Sequence, residues 1–438
     1  ALAAGDSSVH FRAKPDLFVE NKEAVMPEQN KFRHQSYPTQ PVLEPDVRTL
    51  SAEFELPDFS RLHSEFGIHH VELIHGTFAG TDPFGWIEFL TYLADESAGP
   101  IRTAIRPMIE KLAAPTQKVA DTITADVANY SDQFCEKFAE LCSKQLTVSR
   151  LSPSWSSQNH HLARAELALK LLVRLDDLIT EGQISSEERV MFWGHSHAGN
   201  GLALLTNLLA NDPESVAAFF ENLGDTLVEL AEKGRAILQG CEGPHPAAES
   251  LIIVTFGAPV RYGWDTTGCR ELLHVIHHKA LDDEEPTKTI PAIRLGCPGN
   301  TFKENLEPLT SGFKDVLLAR RGDWLQLFAI AGTDLQPTRN RDVNRQLGAF
   351  LEADLEEATP QSIKDRIPVA CRRWKTATRM HADGRNLLVK FEGFHMTRFG
   401  DARQALVGHG IYTVTHWLPA QLALVMEWLE KDGLGNPA

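Results

Sequence analysis

Short, uniformly apolar runs that give way to helical stripes constrain this chain more than any other feature. Val71 to Ile74, the VMFW run from Val190 to Trp193, SLIIVTF and ELLHVIHH are too short for amphipathic helices and too continuously apolar for strands with one wet face. Such runs read as strands buried on both faces. Directly after VMFW, Leu202, Leu205, Leu208 and Leu209 fall at i, i+3, i+6 and i+7, one apolar stripe of a helix opened by Gly199 to Gly201. Strands alternating with helices over this length imply an α/β fold, with a mostly parallel central sheet covered on both faces.

With 438 residues, the chain calls for two domains or one large domain carrying insertions. Residues 1–64 are Pro-rich without sustained periodicity and read as an extended N-terminal arm, leaving residues 65–430 as the main domain. Within it, residues 97–146 form a helical insertion, with Ile101, Ile105, Met108, Ile109 and Leu112 on one face and Phe134, Phe138 and Leu141 on another. Those stripes either complete the core or cap the site as a lid. LTVSRL is a further strand, and SPSWSSQNHHLAR a loop leading into a long helix. Residues 281–320 read as a loop insertion. Later, LQLFAIAG is an apolar run, NRQLGAFLEADLEEA a helix, and RRWKTATRMHADGRNLLVKFE a hairpin whose Asp383-Gly384 pair suits a type I′ turn. WLPAQLALVMEWLE is the final helix.

A net charge of -16 with no run of Lys or Arg argues against nucleic acid as a partner. No stretch approaches the roughly eighteen apolar residues of a transmembrane span. Cys135, Cys142, Cys241, Cys269, Cys297 and Cys371 show no zinc-type spacing and read as free thiols, with a Cys269 to Cys297 bridge as the alternative. The opening ALAAG reads as a processed end or a cloning scar and leaves the compartment open. Oligomeric state is likewise open.

The chemistry centres on GHSHAG, residues 194–199, at the strand-to-helix turn. A serine hydroxyl is a poor nucleophile unless it is lifted clear of the backbone and set beside a base. A tight turn lifts it, at the cost of strained dihedrals and small neighbours two positions either side, here Gly194 and Ala198. The bland alternative is a small-residue turn with an exposed serine. His195 and His197 flank the serine; without a carboxylate at ligand spacing they suggest packing or hydrogen bonding around the site rather than a metal.

This arrangement resembles the α/β-hydrolase fold over most of residues 65–430, in particular its serine esterases and lipases. The resemblance rests on GHSHAG, on His75-Gly76-Thr77-Phe78 after the early strand, on TFGAP after a later one, and on the late HGIYT. It implies a Ser-His-Asp triad, an acyl-enzyme intermediate and a small-molecule ester substrate, with no cofactor and no metal. By that likeness Ser196 is the nucleophile, and the Thr77 and His197 amides form the oxyanion hole, with Phe78 as the alternative first donor. His409, in a Gly-flanked loop before the final helix, is the base in preference to His395 or His416. The acid is Asp334, at the end of LQLFAIAGTD, or Asp323, in RRGDWLQ; Asp282 and Asp283 rank behind them. His75, Phe84, Trp86, Trp155 and His195 line the substrate mouth. An acyltransferase or amidase on the same triad, or a non-catalytic binding scaffold, are the alternatives.

Overall fold

The apolar runs become strands of one sheet. The computed structural model describes residues 43–50, 56–76, 130–152, 155–185, 187–279, 322–327, 340–351, 380–392 and 408–431. In chain order these carry β1 (Asp46–Leu50), α1 (Arg61–Ser64), β2 (Ile68–Ile74), α2 (Asp132–Leu141), β3 (Thr147–Arg150), α3 (His161–Thr180), β4 (Arg189–His195) and α4 (Ala198–Ala210). They continue with α5 (Pro213–Leu223), α6 (Val228–Leu238), β5 (Leu251–Phe256), β6 (Glu271–His277), α7 (Trp324–Leu327), α8 (Arg341–Leu351), β7 (Arg385–Phe391) and α9 (Leu418–Lys431). The seven strands form one sheet in the order β1-β7-β6-β5-β4-β2-β3, with every neighbouring pair parallel. The α/β class expected from the alternating runs is what the structure has.

Alternation along the strands divides the core into two layers. Val190 and Phe192 of β4 pack with the leucines of α3 and α4, while Met191 and Trp193 face the opposite layer with Phe134 and Phe138 of α2 and the apolar side of α9. The Phe134/Phe138 stripe of the expected insertion is therefore core in its described part; the ring of Phe138 meets Trp193 edge-on, with centroids 5.2 Å apart. The long helix α3 begins without Ser, Thr, Asp or Asn at its cap because His160 serves instead, its Nδ1 accepting from the Ala163 N–H at 3.0 Å.

Two expectations need correction. The segment assigned to an N-terminal arm supplies β1, which pairs with β7 from Asp46↔Leu387 to Leu50↔Phe391, and the short α1. A five-residue edge strand with a half-buried pattern carries too little periodicity to stand out from a Pro-rich stretch. Likewise, β7 is not one arm of a hairpin within the sheet, since both its neighbours, β6 and β1, are parallel to it. Gly384 has φ +78° but Asp383 does not join it at positive φ, so a type I′ turn is not formed. Cys269 is a buried free thiol. The expected loop insertion, residues 281–320, lies outside the described residues.

Strand order sets where a site can form. After β2 the chain adds β3 on one side and then returns to place β4 on the other, so the connections diverge at β2 and β4. In a parallel α/β sheet, such a switch point opens a crevice beyond the carboxyl ends of the strands.

Candidate functional site

Ser196 sits at the carboxyl end of β4, directly before α4, with φ +55°, a left-handed conformation that side chains other than glycine rarely adopt. Its N–H donates to the Phe256 carbonyl at 2.8 Å, which ties the turn to the end of β5. The turn needs small neighbours for measurable reasons. A Cβ on Gly194 would come within 2.5 Å of Leu202 Cδ1, yet it would lie 3.8 Å from the Ala198 Cβ, an ordinary contact. Alanine therefore fits where the second motif glycine could stand. The close approach falls one residue later, where a Cβ on Gly199 would lie 2.4 Å from the Ala258 Cβ. On the other side, a Cβ on Gly76 would lie 2.7 Å from Ser196 Cβ and 3.3 Å from its Oγ.

Asp323 and His409 reach the same place from the ends of β6 and β7. The chain leaves β6 at His278 and returns at Gly322, where the two residues form an antiparallel bridge, and the Asp323 N–H donates to the His277 carbonyl at 2.9 Å. His409 Nδ1 donates to Asp323 Oδ2 at 2.7 Å; both side chains are buried. The carboxylate also accepts from Tyr412 Oη at 3.1 Å and, through Oδ1, from the Gln326 N–H at 2.9 Å. With the Nδ1 proton held by Asp323, Nε2 is the ring nitrogen left for other work, and among the described residues neither it nor the buried Ser196 Oγ has a hydrogen-bond partner. Ser196 is tied to Phe256, and the next residue, Gly257 (φ +60°), is where the Asp323–His409 pair packs: a Cβ there would touch Tyr412 at 2.5 Å, Asp323 Oδ2 at 2.6 Å and His409 Cε1 at 3.2 Å. TFGAP is thus the strip on which the side chains of Tyr412, Asp323 and His409 converge.

His195 packs its ring against His409, with centroids 4.7 Å apart and planes tilted by 34°. His197 caps α4 and turns its side chain away, accepting at Nε2 from Arg164 Nε at 2.7 Å. Burial, and then the charge of Arg164, push the His197 imidazolium well below the ordinary histidine range, so the ring is neutral. The His197 and Ala198 amides open the helix and lack acceptors within it. At the end of β2, His75 is buried, and burial lowers its pKa too.

Of the residues singled out in the sequence, Ser196, His409, Asp323, His75, His195, His197 and Trp155 are brought together at the carboxyl end of the sheet. Trp155 is buried rather than open at a mouth: its indole N–H donates to the His75 carbonyl at 3.1 Å. Thr77, Phe78, Phe84, Trp86, Asp282, Asp283, Asp334 and His395 lie outside the described residues. His416 is exposed on a turn before α9. Tyr412, Gln326 and Ser157 carried no assignment from the sequence. Tyr412 was within reach, since three residues after His409 in a tight helical turn returns to the same side.

Chemically, an imidazole whose tautomer is fixed by a buried carboxylate can take the proton of a serine hydroxyl that comes within reach of its other nitrogen. Among the described residues, no group of three or more His, Cys, Asp or Glu is placed to hold a metal ion, and no helix is long and apolar enough to cross a membrane. Comparison with known proteins gave no match to a family model, a curated protein or a solved structure.

Proposed function

We infer that the protein is a serine hydrolase of the α/β-hydrolase type, cleaving a carboxylic ester of a small molecule through an acyl-enzyme intermediate. The observation that carries this reading is the strained Ser196 at the end of β4, whose neighbour His195 packs its ring 4.7 Å from that of a His409 buried against Asp323. In the first step Ser196 Oγ bonds to the ester carbonyl carbon while His409 Nε2 takes the hydroxyl proton. As the tetrahedral species collapses, the C–O bond to the alcohol breaks and Nε2 returns the proton to the leaving oxygen. Water repeats the sequence in reverse order and frees the acid. Asp323 holds the Nδ1 proton and offsets the imidazolium charge. Charge on the attacked oxygen needs preorganised donors; in this reading they are the His197 and Thr77 amides. The lone pair left open on His409 Nε2 and the strain at Ser196 both support a catalytic over a purely structural role.

A fluorophosphonate probe tests this directly. The expected result is a single adduct on the peptide containing Ser196, absent in Ser196→Ala, with ester turnover lost in that variant and its thermal unfolding unchanged. Undiminished esterase activity in folded Ser196→Ala would overturn the assignment.

A further inference from the structure

Two histidines flank the serine, and the proton transfers leave the first of them, His195, without a role. It ends β4 opposite Phe256 of β5 and is wholly buried, so it stands behind the base and not at an open mouth. Side chains alternate along a strand, so His195 shares the face of Met191 and Trp193, the one packed against α2 and α9. On that face its ring packs on the ring of His409, with centroids 4.7 Å apart and planes tilted by 34°. The rings of Tyr412 and Tyr130 hold His195 in turn, at 5.8 and 6.3 Å.

We propose that His195 is a positioning residue, a flat wall that sets the plane of the His409 imidazole and ties it to the turn carrying Ser196. The proposal rests on the hydrolase reading above. The torsion that turns a histidine ring is broad, so the plane of the ring has to be set by its contacts. The 2.7 Å bond from Nδ1 to Asp323 fixes one point of the ring and leaves it free to tip about that bond. Gly257 bounds one side, since even a Cβ there would come within 3.2 Å of Cε1, and Tyr412 stands across the ring with its plane turned by 87°. His195 covers the face, the direction in which tipping would carry the imidazole. Because it is also the residue before Ser196, any shift of the turn takes the wall with it, and base and nucleophile keep their relation. A base that takes a proton and later returns it must stay within hydrogen-bond reach through both transfers, so a plane that wanders slows chemistry without weakening substrate binding in proportion.

The test uses His195→Ala, which removes the wall; His195→Leu, which fills the space without a flat face; and His195→Phe, which restores a ring that cannot carry a proton. Each is assayed for kcat and KM on a p-nitrophenyl ester, for the rate of fluorophosphonate labelling, which needs the base but not the ester's own contacts, and for thermal unfolding. Expected in the Ala and Leu variants is roughly a tenfold to hundredfold fall in kcat, on the order of that caused by a small misplacement of a catalytic group, with KM within about twofold and labelling slowed in parallel. His195→Phe should recover about tenfold in kcat over His195→Leu, because the face is covered again. His195→Leu keeps the volume filled, so it should unfold near the wild-type temperature and still lose kcat, which separates positioning from a folding defect. Wild-type kcat and labelling in the Ala and Leu variants, or a Phe variant no faster than Leu, would overturn the proposal. A wild-type protein that neither reacts with fluorophosphonate nor turns over esters would instead overturn the underlying hydrolase reading.

Discussion

Tyr412 joins the ends of two strands through one oxygen. Its hydroxyl donates to Asp323 Oδ2 at 3.1 Å and accepts from the His277 N–H at 2.6 Å, while His277 Nδ1 donates to the Gly408 carbonyl at 3.0 Å, one residue before His409. All of these groups are buried, so each bond removed leaves a polar atom that water cannot reach. Tyr412→Phe conserves the ring and deletes only the oxygen. It should cost about 1–3 kcal/mol in chemical denaturation, the penalty for a buried donor left unmade, and it should lower ester turnover by freeing the Asp323 carboxylate to rotate. A variant within about 0.5 kcal/mol of wild type, the usual range for a silent surface change, would mean that the hydroxyl is not needed to hold the two loops. The same residue scale explains which parts of the site could be read in advance. Ser196 was legible because the requirements of its turn are local: Gly194, Ala198 and Gly199 all sit within a few residues of it. Asp323 could not be separated from Asp334 because its place depends on the chain returning to β6 at Gly322, a contact that no local pattern encodes.

Among the described strands, β3 is the one with least to hold it: four residues, partly exposed, with β2 as its only neighbour in the sheet among the described residues. A buried ionic knot compensates. Glu72 of β2 accepts at Oε2 from His70 Nε2 at 2.9 Å, from Ser149 Oγ of β3 at 2.9 Å and from Arg174 Nε of α3 at 2.9 Å. Burial by itself would push the Glu72 carboxyl up, but the His70 hydrogen bond and the Arg174 charge outweigh it and hold the group below the ordinary carboxylate value. A lowered folded pKa contributes stability that is present above the unfolded carboxylate value and is lost as pH falls through the folded one. Glu72→Gln should therefore destabilise by about 1–3 kcal/mol at pH 7, as expected for a hydrogen bond to a charged group, and the gap to wild type should close as acid protonates Glu72 in the wild type. Urea unfolding of both proteins at pH 7 and pH 4 measures it, and a gap that does not depend on pH would mean that the charge is immaterial. Neither this knot nor β1 was legible. Glu72 interrupts an apolar run without announcing its partners, and β1 finds its pairing with β7 from the far end of the chain. The central strands were legible because burial on both faces leaves an unbroken apolar signature in the sequence itself.

For the molecule as a whole, acidification sets two effects against each other. The net charge of -16 at pH 7 shrinks as pH falls toward the sequence pI near 5.6, and lower self-repulsion favours the compact state. Opposing this are histidines buried in neutral form. His274 on β6 accepts or donates at Nδ1 to Thr255 of β5 at 2.7 Å and stacks on His381 with ring centroids 3.9 Å apart. His381 in turn reaches the Ala258 carbonyl at 3.2 Å, beside the TFGAP strip of the site. Burial first, and the neighbouring His381 second, push the His274 imidazolium well below its ordinary range, and His197 is displaced the same way by burial and Arg164. A histidine whose folded pKa is depressed leaves stability intact above the unfolded value of about 6.5 and removes it as pH drops below that, because the unfolded chain then binds the proton that the native state refuses. Each such histidine therefore removes stability as pH falls from about 6.5 to 5.5, and the two act in the same direction. Surface repulsion is dispersed and screened within about 8 Å at physiological salt, so it returns less over that pH unit than the buried histidines remove. Stability should accordingly fall between pH 6.5 and 5.5, even though net charge is approaching zero. Replacing His274 by Gln, which keeps a side-chain donor and acceptor but cannot take up a proton in this range, should flatten part of that slope while costing some stability at pH 7. Thermal unfolding at matched ionic strength across this interval decides the point: a wild-type midpoint that rises toward pH 5.5 would show that repulsion, not the buried histidines, governs acid stability.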